Sequence, residues 1–180
     1  MYGKTDLILY PIFIITTLAA LTDLSKGKIY NWLTLPSILL GLIACYCYLG
    51  VNGFWQSLLG IILGFLLYGW IFGLGFMGAG DVKLLMALGA WGGSRYVLQV
   101  GLLGIFIGGI FAFFILIYQG KIKKFINKIY YFMITLFIRE LRYEGIKIDR
   151  KLTMPFGISI AIASILMLFF NPFEKIGFFI

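Results

Sequence analysis

Histidine is missing altogether, cysteine occurs only at Cys45 and Cys47, and charged residues make up 12% of the 180-residue chain. Each scarcity removes a class of chemistry. Without histidine there is no Ser-His-Asp triad and no His-based zinc site. The two cysteines sit two positions apart in one apolar run, on different faces of a helix, which fits packing better than metal ligation or a disulfide framework. A soluble domain is roughly a quarter charged and about 45–50% apolar. Here 62% of residues are hydrophobic and the mean hydropathy is +1.02. So little polar surface cannot coat a globule in water, and lipid is the predicted solvent. The 23 glycines and 18 phenylalanines suit helices that approach closely through small residues and turn bulky ones toward acyl chains. Whatever chemistry remains must use carboxylates, amines or hydroxyls.

A helix needs about 20 apolar residues to cross a hydrocarbon core of roughly 30 Å. Five runs read as such spans: Leu7–Thr22, Leu33–Leu49, Phe54–Met77, Tyr96–Tyr118 and Phe156–Phe170. A sixth, Val82–Trp91, would be only about 15 Å long at 1.5 Å per residue. Charge decides whether it crosses. Lys26 and Lys28 lie between the first two runs, and a basic segment from Lys121 to Lys151 lies between the last two. Positive loops stay in the cytoplasm, and both can do so only if the short run also crosses. The expected fold is therefore all-α: a polytopic membrane bundle of six transmembrane helices with both termini outside, forming one domain over residues 1–180. Met1–Tyr10 opens no cleavable signal peptide on this reading, since no cleavage site follows it.

The segment from about 119 to 152 interleaves lysines with Phe125, Ile126, Ile129, Tyr130, Phe132 and Met133. It reads as an amphipathic cytoplasmic helix on anionic headgroups. A basic loop in a membrane chain is the ordinary arrangement, so no nucleic-acid partner is expected. Gly60-x3-Gly64, Gly69-x3-Gly73 and Gly104-x3-Gly108 are read as helix-packing faces, and Trp32, Trp55, Trp70 and Trp91 as interface anchors or lipid-facing bulk. Gly73 to Gly78 formally matches a dinucleotide fingerprint, but no strand precedes it and the match carries no weight.

The acidic residues are Asp6, Asp23, Asp81, Glu140, Glu144, Asp149 and Glu174. Asp23 ends the first run and Asp81 opens the short one, so in the six-helix topology both stand at the cytoplasmic side. An ionisable group at membrane depth is a functional hypothesis by default. Two carboxyls placed together share a proton, which allows one to draw a proton from water while the other hydrogen-bonds a scissile carbonyl. The plain alternative is capping: Asp23 at the end of one helix and Asp81 as the N-cap of the next. Gly78 and Gly80 before Asp81 permit a close-approaching backbone, here read as a platform for a substrate strand. Lys83 is a poor partner for Asp81, since residues two apart on a helix do not face each other. It is left between reaching headgroups and holding substrate.

The flanks of both aspartates narrow the choice. Gly78-Ala79-Gly80-Asp81-Val82-Lys83 is a Gly-x-Gly-Asp-x-Lys element, Asp23 is followed by Ile29-Tyr30-Asn31, and Met154-Pro155-Phe156-Gly157 comes late. Together they resemble the type IV prepilin peptidase family, membrane aspartic proteases of the Gly-x-Gly-Asp type, along essentially the whole chain. The resemblance implies that Asp23 and Asp81 are catalytic and that Asn31, Gly78, Gly80, Lys83 and Pro155 support the site or substrate. It also implies that no metal or other cofactor is needed, and that the substrate is a prepilin, pseudopilin or preflagellin. Such a substrate carries a basic leader ahead of a hydrophobic helix and is cut at the cytoplasmic face of the cell membrane. Tyr30 stands where the family usually has proline, leaving Asn31 to cap or orient the turn. No cysteine-paired cytoplasmic insertion is present, so the chain resembles the short peptidase-only members of Flp-type pili or the archaeal preflagellin peptidases, and methyl transfer is not expected. The competing reading is a small proton- or cation-coupled carrier using the same aspartates. The lack of an internal repeat disfavours it.

Overall fold

In the computed structural model, residues 6–73, 77–118, 120, 127 and 156–170 are described. They form four helices: α1 (Asp6–Lys26), α2 (Asn31–Gly73), α3 (Ala79–Tyr118) and α4 (Phe156–Phe170). No strand occurs among the described residues. Apart from residues 120 and 127, the expected amphipathic segment lies outside them, as does Pro155. The chain divides into two compact units, Met1–Gly108 with Thr153–Ile180 and Gly109–Leu152. The second contains the end of α3, where Phe113 and Phe114 meet edge to face with ring centroids 6.2 Å apart.

α2 and α3 are hairpins rather than rods. Cys45 and Ser57 both direct their side chains to the Ala90 carbonyl, at 3.5 and 2.6 Å. Twelve residues would separate them by about 18 Å along a straight helix, so the chain reverses between them. The reversal is at Gly50, with φ 66° and ψ −151°. α3 reverses likewise at Gly93, with φ 77° and ψ −175°, since the Leu85 side chain lies 3.2 Å from where a Gly101 Cβ would be. These angles favour glycine, because a Cβ would strain the backbone. The two turns fall just after Leu49 and Trp91, where the second and fourth apolar runs end. α3 starts at Ala79, three residues before the predicted run. The turn at Gly93 ends helical bonding for the carbonyls just before it, and Ser57 supplies the partner that Ala90 would otherwise lack.

The core of the larger unit is apolar and contains Ile12, Ile15 and Ala19 of α1, Tyr68 of α2, Leu84, Leu85, Leu88, Val97 and Val100 of α3, and Ile160, Ala163 and Met167 of α4. α1 packs along α4, and the Tyr96 hydroxyl joins the Ser164 hydroxyl at 2.7 Å. Glycine contacts let α2 lie on the first arm of α3. A Cβ on Gly60 would run into the backbone of Gly89, and one on Gly64 would sit 3.0 Å from the Leu85 carbonyl oxygen. Gly104 and Gly108 lie under Tyr68 and Phe156. Among the described residues, Gly69 and Gly73 depart from the packing expectation: a Cβ on Gly69 would meet only Phe65 of its own helix and one on Gly73 nothing within 4 Å. Cys45 is buried, as the packing reading expects, whereas Cys47 is exposed and departs from it.

Large apolar side chains cover the outside, including Trp70, Phe106 and Phe169. Contiguous apolar exposure of this kind marks a lipid-facing surface. α2, and α3 over Ala79–Ile115, are long and apolar enough to cross a membrane. Among the described residues, the protein is an all-helical membrane protein. Gly60→Ala is expected to lower the thermal unfolding midpoint in detergent far more than Gly50→Ala. The first drives a methyl into the Gly89 backbone, whereas the second meets no neighbour among the described residues and incurs only backbone strain of about 1–3 kcal/mol, at a φ/ψ combination that is essentially reserved for glycine. Circular dichroism melts of the two variants check the order.

Candidate active site

Asp23 and Asp81 stand at helix ends that converge. Asp23 lies in the last turn of α1, where its carbonyl accepts the Gly27 N–H at 2.8 Å and closes the helix. Asp81 lies in the first turn of α3. The Asp81 N–H donates to the Gly78 carbonyl at 3.2 Å, and the Gly78 N–H donates to Asp81 Oδ2 at 3.1 Å. This return bond is one half of a capping box. Gly78 therefore holds the N-cap position, and Asp81 sits three residues inside it rather than being the cap itself.

Both carboxylates are buried at 7% exposure, and Asp23 is near enough for its charge to act on Asp81. Each is met by the start of a helix. The backbone N–H groups of Gly157 and Ile158, in the first turn of α4, face the Asp23 carboxylate, and a helix N-terminus stabilises negative charge. A Cβ on Gly157 would stand 2.7 Å from Asp23 Oδ2, so only glycine admits this approach. Asp23 Oδ2 has no well-formed hydrogen bond among the described residues. A buried acceptor in that state forfeits about 1–3 kcal/mol, and it is available to a substrate or solvent proton.

Ile29 separates the two first turns. A Cβ on Gly80 would lie 3.0 Å from Ile29 Cβ and 3.2 Å from its carbonyl oxygen, while one on Gly157 would lie 2.9 Å from Ile29 Cδ1. The face of Gly80 on which a Cβ would stand is thus filled by the α1–α2 connection. Asn31 does not cap α2. Tyr30 holds the N-cap position, its carbonyl accepting the N–H groups of Leu33 and Thr34 at 3.1 and 3.3 Å as the first bonds of the helix. The Asn31 side chain instead accepts Lys83 Nζ at 2.8 Å, which ties the start of α2 to the first turns of α3.

Two polar residues near these elements escaped the sequence reading. Tyr68 is fully buried, donates to the Gly101 carbonyl at 3.1 Å and lies within reach of the Asp81 charge. Thr34 is 1% exposed with its hydroxyl unpartnered among the described residues. Both sit inside apolar runs, where a single polar atom leaves no periodic signal. No group of three possible metal ligands comes together among the described residues.

A model of the type IV leader peptidase family matches residues 10–113, more than half of the chain and including both aspartates. The chain belongs to the type IV leader peptidase family. Membership implies peptidase activity and gives the carrier reading no support. No curated protein and no solved structure matches the chain. In a leader peptidase with this geometry, Gly157→Ala pushes a methyl against Asp23 Oδ2 and Ile29 at once. Its turnover is expected to fall on the order of tenfold or more, a response typical of sub-ångström misplacement of reacting groups. Initial cleavage rates in liposomes, with helix content verified by circular dichroism, provide the check.

Proposed function

We propose that this leader peptidase is a membrane aspartic endopeptidase that uses Asp23 and Asp81 as one catalytic pair. It removes the short leader of a prepilin, pseudopilin or preflagellin at the cytoplasmic face of the cell membrane. The observation that carries the reading is the burial of both carboxylates together, in a leader peptidase, at the ends of helices whose neighbours bring backbone N–H groups to them.

The chemistry follows from the pair. One carboxyl is protonated and hydrogen-bonds the scissile carbonyl oxygen, while the ionised one takes a proton from water as the oxygen attacks the carbonyl carbon. The tetrahedral diol then collapses, a proton passes to the amide nitrogen, and the C–N bond breaks. Chemistry of this kind has no need of a metal, and methyl transfer has no part in it. Gly78 and Gly157 keep the approaches to the carboxylates free of side chains, and Lys83 and Asn31 hold the elements that carry them. Pro155 precedes the first turn of α4 and is assigned to shaping its entry.

The topology that suits this role has six crossings. The arms of α2 either side of Gly50, the arms of α3 either side of Gly93, α1 and α4 make six segments whose alternation keeps the α1–α2 connection and the start of α3 on one side, with Lys26, Lys28 and Lys83 in the cytoplasm. The substrate's apolar helix supplies most of the binding energy. Anionic lipid lies between its basic leader and the basic segment of the enzyme.

Asp23→Asn and Asp81→Asn are each expected to abolish conversion of prepilin to mature pilin, and the double variant to lose no more than either, since residues acting as a unit are non-additive. Neutralising Glu140, Glu144, Asp149 or Glu174 should keep most of the activity. Near-normal cleavage by a folded Asp81→Asn variant would exclude the aspartic mechanism. The topology has its own test: a cysteine at Lys124 should resist an impermeant thiol reagent applied outside intact cells and react once the membrane is opened. Labelling from outside would place the basic segment on the wrong side.

A further inference from the structure

We infer that Ile29 is a positioning residue of the peptidase, its side chain wedged between the first turns of α3 and α4 so that it sets the separation of Asp23 and Asp81. The inference rests on the aspartic-peptidase reading above. Gly80 and Gly157 are the two positions that would collide with Ile29 if they bore side chains, at 3.0 Å from its Cβ and 2.9 Å from its Cδ1. Gly80 is the residue before Asp81, and the Gly157 N–H faces the Asp23 carboxylate. A single side chain therefore touches the backbone beside each carboxylate.

The wedge cannot retreat, because the connection that bears it is stapled at both ends. Behind it, the Gly27 N–H is bonded to the Asp23 carbonyl at 2.8 Å. Ahead of it, Asn31 is held by Lys83 at 2.8 Å, and Tyr30 caps α2. Only a few residues separate these anchors, so Ile29 has little freedom to move along the chain. Its own shape adds stiffness, since a β-branched side chain has few χ1 rotamers. Bare glycine faces on both sides let the two first turns close on this one side chain. Shortening it removes the stop, and the first turns of α3 and α4 shift toward each other, moving Asp81 and the Gly157 N–H that faces Asp23 out of register with the end of α1.

The distinguishing consequence is a kinetic one. A residue that positions the pair affects the chemical step, whereas a residue that shapes the substrate groove affects binding. Ile29→Ala, purified and returned to liposomes, is expected to lower kcat by about ten- to a hundredfold, with KM within about twofold of wild type. Ile29→Val keeps the branch over Gly80 and removes only the methyl at Gly157, and its kcat should fall between the two. Thermal unfolding and circular dichroism are measured alongside, and if Ile29→Ala does not fold, the Val variant decides. A folded Ala or Val variant with wild-type kcat, or one whose loss lies in KM, overturns the inference while leaving the aspartic reading intact. If wild type cleaves no prepilin, or Asp81→Asn still does, the aspartic reading fails and takes the inference with it.

Discussion

Two carboxylates have to be buried side by side in a bundle that offers almost nothing polar to receive them. There is no histidine in the chain to share a proton, and Lys83, the nearest cation in sequence to Asp81, is engaged with Asn31. The partners come from the backbone. Helix starts carry N–H groups with no intrahelical acceptor, and two such starts are turned toward the aspartates, Gly78 at α3 and Gly157 with Ile158 at α4. An arrangement of this kind demands close approach, and the first residue of each start to meet a carboxylate, Gly78 and Gly157, is a glycine. The connection between α1 and α2 then has to run across both starts, and Ile29 occupies the space where side chains at Gly80 and Gly157 would otherwise be.

Holding those starts still is the task of the packing below them. The first arm of α3 is gripped along its length by α2: Gly64 at Leu85, Gly60 at Gly89, and Gly41 at Ala90 and Trp91. Because Gly60 and Gly89 meet backbone to backbone, the contact has little room to slide, unlike one made through flexible side chains. Polar bonds reinforce it where the helix ends. Ser57 serves the Ala90 carbonyl at 2.6 Å, and the Trp91 indole donates to the Ser37 carbonyl at 2.9 Å. The arm that presents Asp81 is thus anchored at the end remote from it.

The sequence disclosed whatever is local or depends on composition. Apolar runs located the helices, and the run ends at Leu49 and Trp91 anticipated the turns at Gly50 and Gly93. The two aspartates stood out because so few acidic residues exist. Relations between distant positions were not legible. Gly69 and Gly73 show the same spacing as Gly60 and Gly64 but meet no neighbouring helix among the described residues, because spacing defines a face without saying what the face meets. The bond from Lys83 to Asn31 spans 52 positions, and no periodicity announces it. Nor did the sequence announce that Ile29, which precedes α2, fills the face of Gly80, which follows it. The sequence leaves Asn31 to cap or orient its turn; its side chain is held by Lys83, and the N-cap position falls one residue earlier, at Tyr30.

The first arm of α3 is short, about 14 residues or ~21 Å at 1.5 Å per residue. A hydrocarbon core of roughly 30 Å exceeds it by ~9 Å. In a bilayer, such an arm and its surroundings have to be reconciled by local thinning or by letting headgroups and water dip toward the shorter end. If the Trp91 end is pinned by its contacts with α2, the shortfall accumulates at the Asp81 end. On the proposed six-crossing topology and aspartic mechanism, hydrolysis needs water at a depth where lipid would otherwise exclude it, and a helix too short for its membrane would bring the aqueous boundary down to the carboxylates without any channel being built.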